Sequence, residues 1–127
     1  MFALDIDFVA QTENKAILYG KSNAIDIEGV NNYFHLLCNL FYYYYTERKN
    51  LKAKKILDML NTEKLLYQEQ LIGRHVIFIC YYNCLYRSFS NKSAATGDIE
   101  VLLEGVKKFE FHKIHEQLYL DSRKLRK

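Results

Sequence analysis

Apolar residues recur at three- and four-residue intervals along most of this chain, and strict alternation is confined to one short stretch. From Asp26 to about Lys49, Val30, Phe34, Leu37, Phe41 and Tyr44 form one stripe, with Leu36 and Leu40 beside it. That spacing predicts an amphipathic helix. Asp26 is placed to cap it, and Glu28 in the first turn suits the positive end of the helix dipole. Glu47-Arg48-Lys49-Asn50 reads as a polar turn. Leu51 to Leu60 then forms a short helix with Leu51, Ala53, Ile56, Leu57 and Leu60 inward and Lys52, Lys54, Lys55 and Asp58 outward.

Asn61-Thr62 is expected to punctuate the chain before a long helix from about Thr62 to Phe89. Its middle, His75 to Tyr86, is rich enough in Ile, Val and Tyr to raise the alternative of a buried strand, but its length favours a helix. It carries two stripes, Leu65/Ile72/Val76/Ile79 and Leu71/Phe78/Tyr82/Leu85/Phe89, as expected of an element between neighbours. Ser90 to Gly97 reads as a loop. A helix from Asp98 to about Phe109 follows, with Ile99, Leu102, Leu103, Val106 and Phe109 inward, and a last helix starts near His112. At the other end, Thr12-Glu13 marks a helix start; Leu4-Asp5-Ile6-Asp7-Phe8 alternates like a short strand, but a helical entry segment is the preferred reading.

The expected fold is therefore all-α: antiparallel helix pairs stacked as a tetratricopeptide-like helical repeat, since neither pair buries its apolar faces alone. The chain is read as a single domain, residues 1–127. It has an entry segment (1–25), a first helix pair (26–60), a second helix pair (62–110) and a C-terminal helix with a basic tail (112–127).

Composition narrows this further. Half of the 127 residues are hydrophobic and 15% are aromatic, which excludes disorder, and zero Pro with five Gly leaves little turn chemistry for a sandwich or barrel. The net charge of +3 is all in the tail: residues 121–127 hold four basic residues and one acid, leaving 14 of each sign in residues 1–120. A nucleic-acid binder carries its basic surplus over the folded surface. No apolar run reaches the ~18–20 residues that span a bilayer. Met1 to Asp7 has acids where a secretion signal has a basic leader. Three cysteines, Cys38, Cys80 and Cys84, in a chain that needs no staple fit a reduced, cytoplasmic setting.

Residues 37–60 resemble a tetratricopeptide helix pair. Asn39, Leu40 and Tyr44 match its first helix, and Ala53 matches the small residue where the helices cross. The departures are Phe41 for a small residue, Arg48 for the turn glycine and Leu57 for an aromatic. More broadly, four blocks occur in the order found in the C-terminal region of Rgg/MutR-type bacterial transcriptional regulators. These are Glu13 with Ile17 to Ser22, Asn39-Leu40 with Arg48 to Leu57, the helix through Arg74 and Phe78 to Tyr86, and Gly97 with Leu102 to Phe109. The resemblance implies a helical-repeat domain that dimerises and holds a short signalling peptide. It also implies DNA contact only through a separate or missing helix-turn-helix domain, since none precedes residue 13.

Candidate residues follow from both readings. Asn39 and Asn83 offer carboxamides that donate to a peptide C=O and accept from its N–H at once. An eight-residue peptide is about 27 Å long and a 20-residue helix about 30 Å, so their lengths match. A solvated or capping Asn is the plain alternative. Of four consecutive tyrosines, Tyr42 to Tyr45, some must leave the core face. Tyr43, Tyr82 and Tyr86 are taken as groove residues, and Tyr44 as core. Arg74 and Arg87 can clamp a carboxylate, against the plainer reading of surface ion pairs.

Cys80 and Cys84 with His75 fall short of a zinc set, and buried thiols are the usual explanation. His112 and His115 with Glu116 read as a surface cluster, and Asp5, Asp7, Glu104 and Glu110 as polar-face acids. No catalytic residue, metal or cofactor is expected. The predicted function is a regulatory domain that binds a short peptide or pairs with itself, with a structural protein–protein interaction module as the alternative. Binding of nucleic acid through Arg123 to Lys127 ranks third.

Overall fold

The computed structural model describes residues 13–108 and 118–123, with the side chains of 106–108 left aside. The described residues are helix, turn and bend, with no strand among them, so the all-α expectation holds. Five helices are α1 (Glu13–Ser22), α2 (Ile27–Thr46), α3 (Asn50–Leu66), α4 (Gly73–Arg87) and α5 (Lys92–Lys108). Residues 118–122 are helical as well. The alternating stretch at 4–8, the start of the last helix near His112, the cluster His112/His115/Glu116, the acids Asp5, Asp7 and Glu110, and the tail beyond Arg123 lie outside the described residues. The chain divides into two compact units, residues 1–79 and 80–127, with the boundary inside α4. The sequence reading treats 1–127 as one domain.

In the first unit α2 is the organiser, packed against α3 and also against α1. The Asp26 carboxylate accepts from the Gly29 N–H at 2.7 Å, capping the α2 start as its position predicts. Gly29 is required there: a Cβ would lie 1.9 Å from the Asn23 carbonyl oxygen. At the far end, the Lys49 N–H donates to Tyr44 O and the Arg48 N–H to Tyr45 O, at 2.9 and 3.1 Å. This Schellman arrangement puts Arg48 at φ 58°, the left-handed conformation that the turn glycine of the repeat supplies freely. The three-residue connection folds α3 back along α2. Fully buried Ala53 lets the two helices approach, with Leu37, Leu40, Phe41, Tyr44, Ile56 and Leu60 packed without exposure.

Three polar contacts tie α1 to this pair. Glu13 accepts from the Tyr44 hydroxyl at 2.8 Å and from Lys55 Nζ at 3.2 Å. Lys21 reaches the buried Glu63 carboxylate at 3.5 Å. Burial, and then the nearby Glu63 charge, push the Tyr33 phenol up. Among the described residues, Tyr33 OH and Glu63 Oε2 are buried without a hydrogen-bond partner.

Three expectations change. The chain does not break at Asn61-Thr62: α3 runs on to Leu66, and the break falls at residues 67–72. Leu65 and Ile72 therefore do not share a helix. Of the stripe Leu65/Ile72/Val76/Ile79 only Ile79 is buried, whereas Phe78, Tyr82 and Leu85 of the other stripe are. Leu51, expected inward, begins α3 and is 87% exposed. Finally, Lys92 to Gly97 are helix rather than loop. The Asn91 side chain accepts from the Ala94 N–H at 3.0 Å and so starts α5 at Lys92, six residues before Asp98.

In the second unit Tyr81, Leu85, Ala95, Ile99, Leu103, Leu118 and Ser122 are buried. The Tyr81 hydroxyl donates to the Asp121 carboxylate, and Arg87 pairs with Asp98 across the α4–α5 connection.

Candidate functional site

Asn31, His35, Asn39 and Tyr43 are spaced four apart, so they form one stripe along α2. All four are half-buried, between the apolar face and open solvent. Asn31 is saturated. Its Nδ2 donates to Ile27 O (2.7 Å) and Gln70 O (2.8 Å), and its Oδ1 accepts from Ile72 N–H (3.0 Å) and His75 Nδ1–H (2.9 Å). One side chain thus stitches the 67–72 connection and the first turn of α4 onto α2. These bonds satisfy the backbone of the break and fix it against α2.

The same bonds settle the imidazoles. His75 donates through Nδ1, which leaves Nε2 bare in the neutral ring. At His35 the partner of Nε2 is the Asn39 amide nitrogen, at 3.2 Å. An amide nitrogen only donates, so His35 Nε2 accepts and its proton sits on Nδ1. The two rings lie 6.4 Å apart. Burial, then the His35 and Arg74 charges, hold His75 down at about 4. Burial and then Arg74 lower His35 too. Both rings are neutral at pH 7. Beneath them burial pushes the Cys38 thiol up to about 12, leaving it an inert core group.

Arg74 completes the cluster. It is exposed, its guanidinium lies 5.5 Å from the Phe78 ring centroid, and it has no ion pair among the described residues. Asn39 Oδ1 and His35 Nδ1 likewise have no hydrogen-bond partner among the described residues. The cluster therefore presents one acceptor, one neutral N–H donor and one free cation. That set suits a peptide backbone with a terminal or side-chain carboxylate, not proton transfer near neutral pH.

The sequence-predicted residues separate between the two units. Asn39, Tyr43 and Arg74 belong to the first. The Tyr43 ring meets Tyr44 and lies 5.8 Å below Lys49 Nζ. Tyr82, Asn83, Tyr86 and Arg87 belong to the second. There Tyr82 is buried against Tyr81, Tyr86 meets Phe89 edge-on at 5.4 Å, and Arg87 is engaged by Asp98. Tyr44 is fully buried, as expected of the core member of its run.

Sequence reasoning missed Asn31 and His35, although the i−4 and i−8 positions from Asn39 were there to be read. It grouped His75 with Cys80, whereas the ring is turned to Asn31. No group of three metal-capable side chains occurs among the described residues. A shallow depression of about 630 Å³, lined by Ile25 to Glu28 with Glu69 and Gln70, lies at the start of α2. No described helix is long and apolar enough to cross a membrane. Comparison of the chain with models of known protein families, with curated proteins and with solved structures gives no match.

Proposed function

We propose that this chain is a peptide-binding and dimerising regulatory module of the Rgg/MutR type, acting in the cytoplasm as a homodimer. It binds rather than catalyses, and any contact with DNA is made through a separate domain. The observation that supports this most is the half-buried stripe of α2, where Asn39 Oδ1, His35 Nδ1 and the nearby Arg74 guanidinium have no polar partner among the described residues. An extended peptide bonds its main chain to Asn39 and His35 and its carboxylate to Arg74. Regulation then follows from population shift: a peptide that favours one packing of the helices biases the dimer and whatever is attached to it.

Calorimetric titration of hydrophobic octapeptides into the wild-type chain and the Asn39→Ala and Asn83→Ala variants tests the reading. Saturable binding weakened by Asn39→Ala supports it, and equal binding or none in all three proteins removes it. Loss with Asn83→Ala alone would move the site to the second unit.

A structural interaction module is the second reading. It is favoured by the exposed apolar side chains Leu18, Tyr19, Leu65 and Leu66, between 67% and 74% accessible. A stable oligomer in sedimentation with no response to peptides would select it.

A further inference from the structure

We propose that Cys80 and Cys84 form a two-thiol site for a soft, two-coordinate cation, with Cu(I) as its best-fitting occupant. Both thiols are free, Cys80 exposed and Cys84 half-buried. Both lie inside the continuous helix α4, four residues apart, so they stand one turn above the other on one face.

Side chains so placed have Cβ atoms about 5–6 Å apart. A disulfide needs about 3.5–4.5 Å, so the helix resists closing one. A metal–sulfur bond is about 2.3 Å, so two sulfurs about 4.6 Å apart hold one ion in line without unwinding the turn. Zinc would need further ligands, and no third metal-capable side chain joins the pair among the described residues. A soft d¹⁰ ion satisfied by two thiolates needs none.

The step balances as ligand exchange. Two S–H bonds and the copper's bonds to its incoming nitrogen ligands are lost, two Cu–S bonds form, two protons and the displaced ligands go to solvent, and copper stays Cu(I). The product S–Cu–S carries one negative charge. Arg87 one turn beyond Cys84 lowers the cost of that charge, and Asp98 opposes it. Burial, then Asp98, raise the Cys84 thiol, so it stays protonated until a thiophilic ion displaces the proton. Access is through exposed Cys80. Cys38, buried and remote in sequence, serves as the internal control.

The test uses the full reduced chain under anaerobic conditions. Cu(I) is supplied as its acetonitrile complex in competition with bicinchoninate, and helix content is followed in parallel. The expected result is one copper withdrawn from the chelator per chain, with the protein's sedimentation unchanged. Uptake is lost in Cys80→Ser and in Cys84→Ser, and retained in Cys38→Ser. No uptake by the wild type, uptake surviving the Cys80→Ser/Cys84→Ser pair, or one copper bridging two chains would each overturn the assignment.

Discussion

His75 offers a quantitative check on the polar cluster. The residue is 7% exposed, and its ring donates to Asn31 and is held near 4, against about 6.5 in the unfolded chain. Between these values the unfolded state binds the proton and the folded state does not. Stability is therefore fully present above about pH 6.5 and is lost as pH falls toward 4. At one pH unit per 1.36 kcal/mol, the loss is about 1 kcal/mol by pH 5.5 and about 2–3 kcal/mol by pH 4.5. The control is His75→Asn, whose amide keeps an N–H donor near the Nδ1 position and does not titrate. Urea unfolding of both proteins at pH 7.5, 5.5 and 4.5, followed by circular dichroism, isolates the term. Taking the difference between the two profiles removes what the proteins share, so that difference reports His75 together with its coupling to His35. The wild-type stability should fall relative to the variant by those amounts. Parallel pH profiles would refute a buried, neutral His75.

Three further substitutions probe the frame. Arg48→Gly relieves a side chain held at φ 58° and should raise stability by about 0.5–1 kcal/mol, read as a higher urea midpoint at unchanged slope. Gly29→Ala forces its methyl onto the Asn23 carbonyl and should cost more than about 2 kcal/mol in the same assay, with loss of helix if the α1–α2 turn opens. Asn31→Ala leaves Gln70 O and Ile72 N–H without their partner. It should cost about 2 kcal/mol and raise amide hydrogen exchange at residues 70–76 above that of α3.

What was legible in the chain was what local chemistry decides. The stripe through Phe34, Leu37 and Phe41 and the capping Asp26 both gave α2, and Ala53 gave its crossing with α3. What was not legible came from distant partners. The break at 67–72 is held by Asn31, about forty positions earlier, and nothing in Asn61-Thr62 forces a stop. The stretch 90–97 looks like a loop by its Ser, Asn and Gly content. Yet Asn91 is a cap, and Gly97 lies in open space where a helix tolerates it.

The candidate site divides in the same way. Asn39 stood out by its amide and its place in the repeat. The roles of His35 and Arg74 depend on burial and on α4 meeting α2, which periodicity does not report. For Arg87 the ion pair with Asp98, the plainer of the two readings, is the one the structure contains.

On the proposed reading, the Asn39–His35–Arg74 cluster receives the main chain and carboxylate of a short peptide. The most direct measurement follows the Asn39 side-chain amide, the His35 ring and the Arg74 guanidinium by NMR during titration with one hydrophobic octapeptide, free or amidated at its C-terminus. All three signals should move saturably with the free acid, and the Arg74 response should disappear with the amide. Signals that stay still while the peptide binds elsewhere, or that move equally with both peptides, would contradict the account.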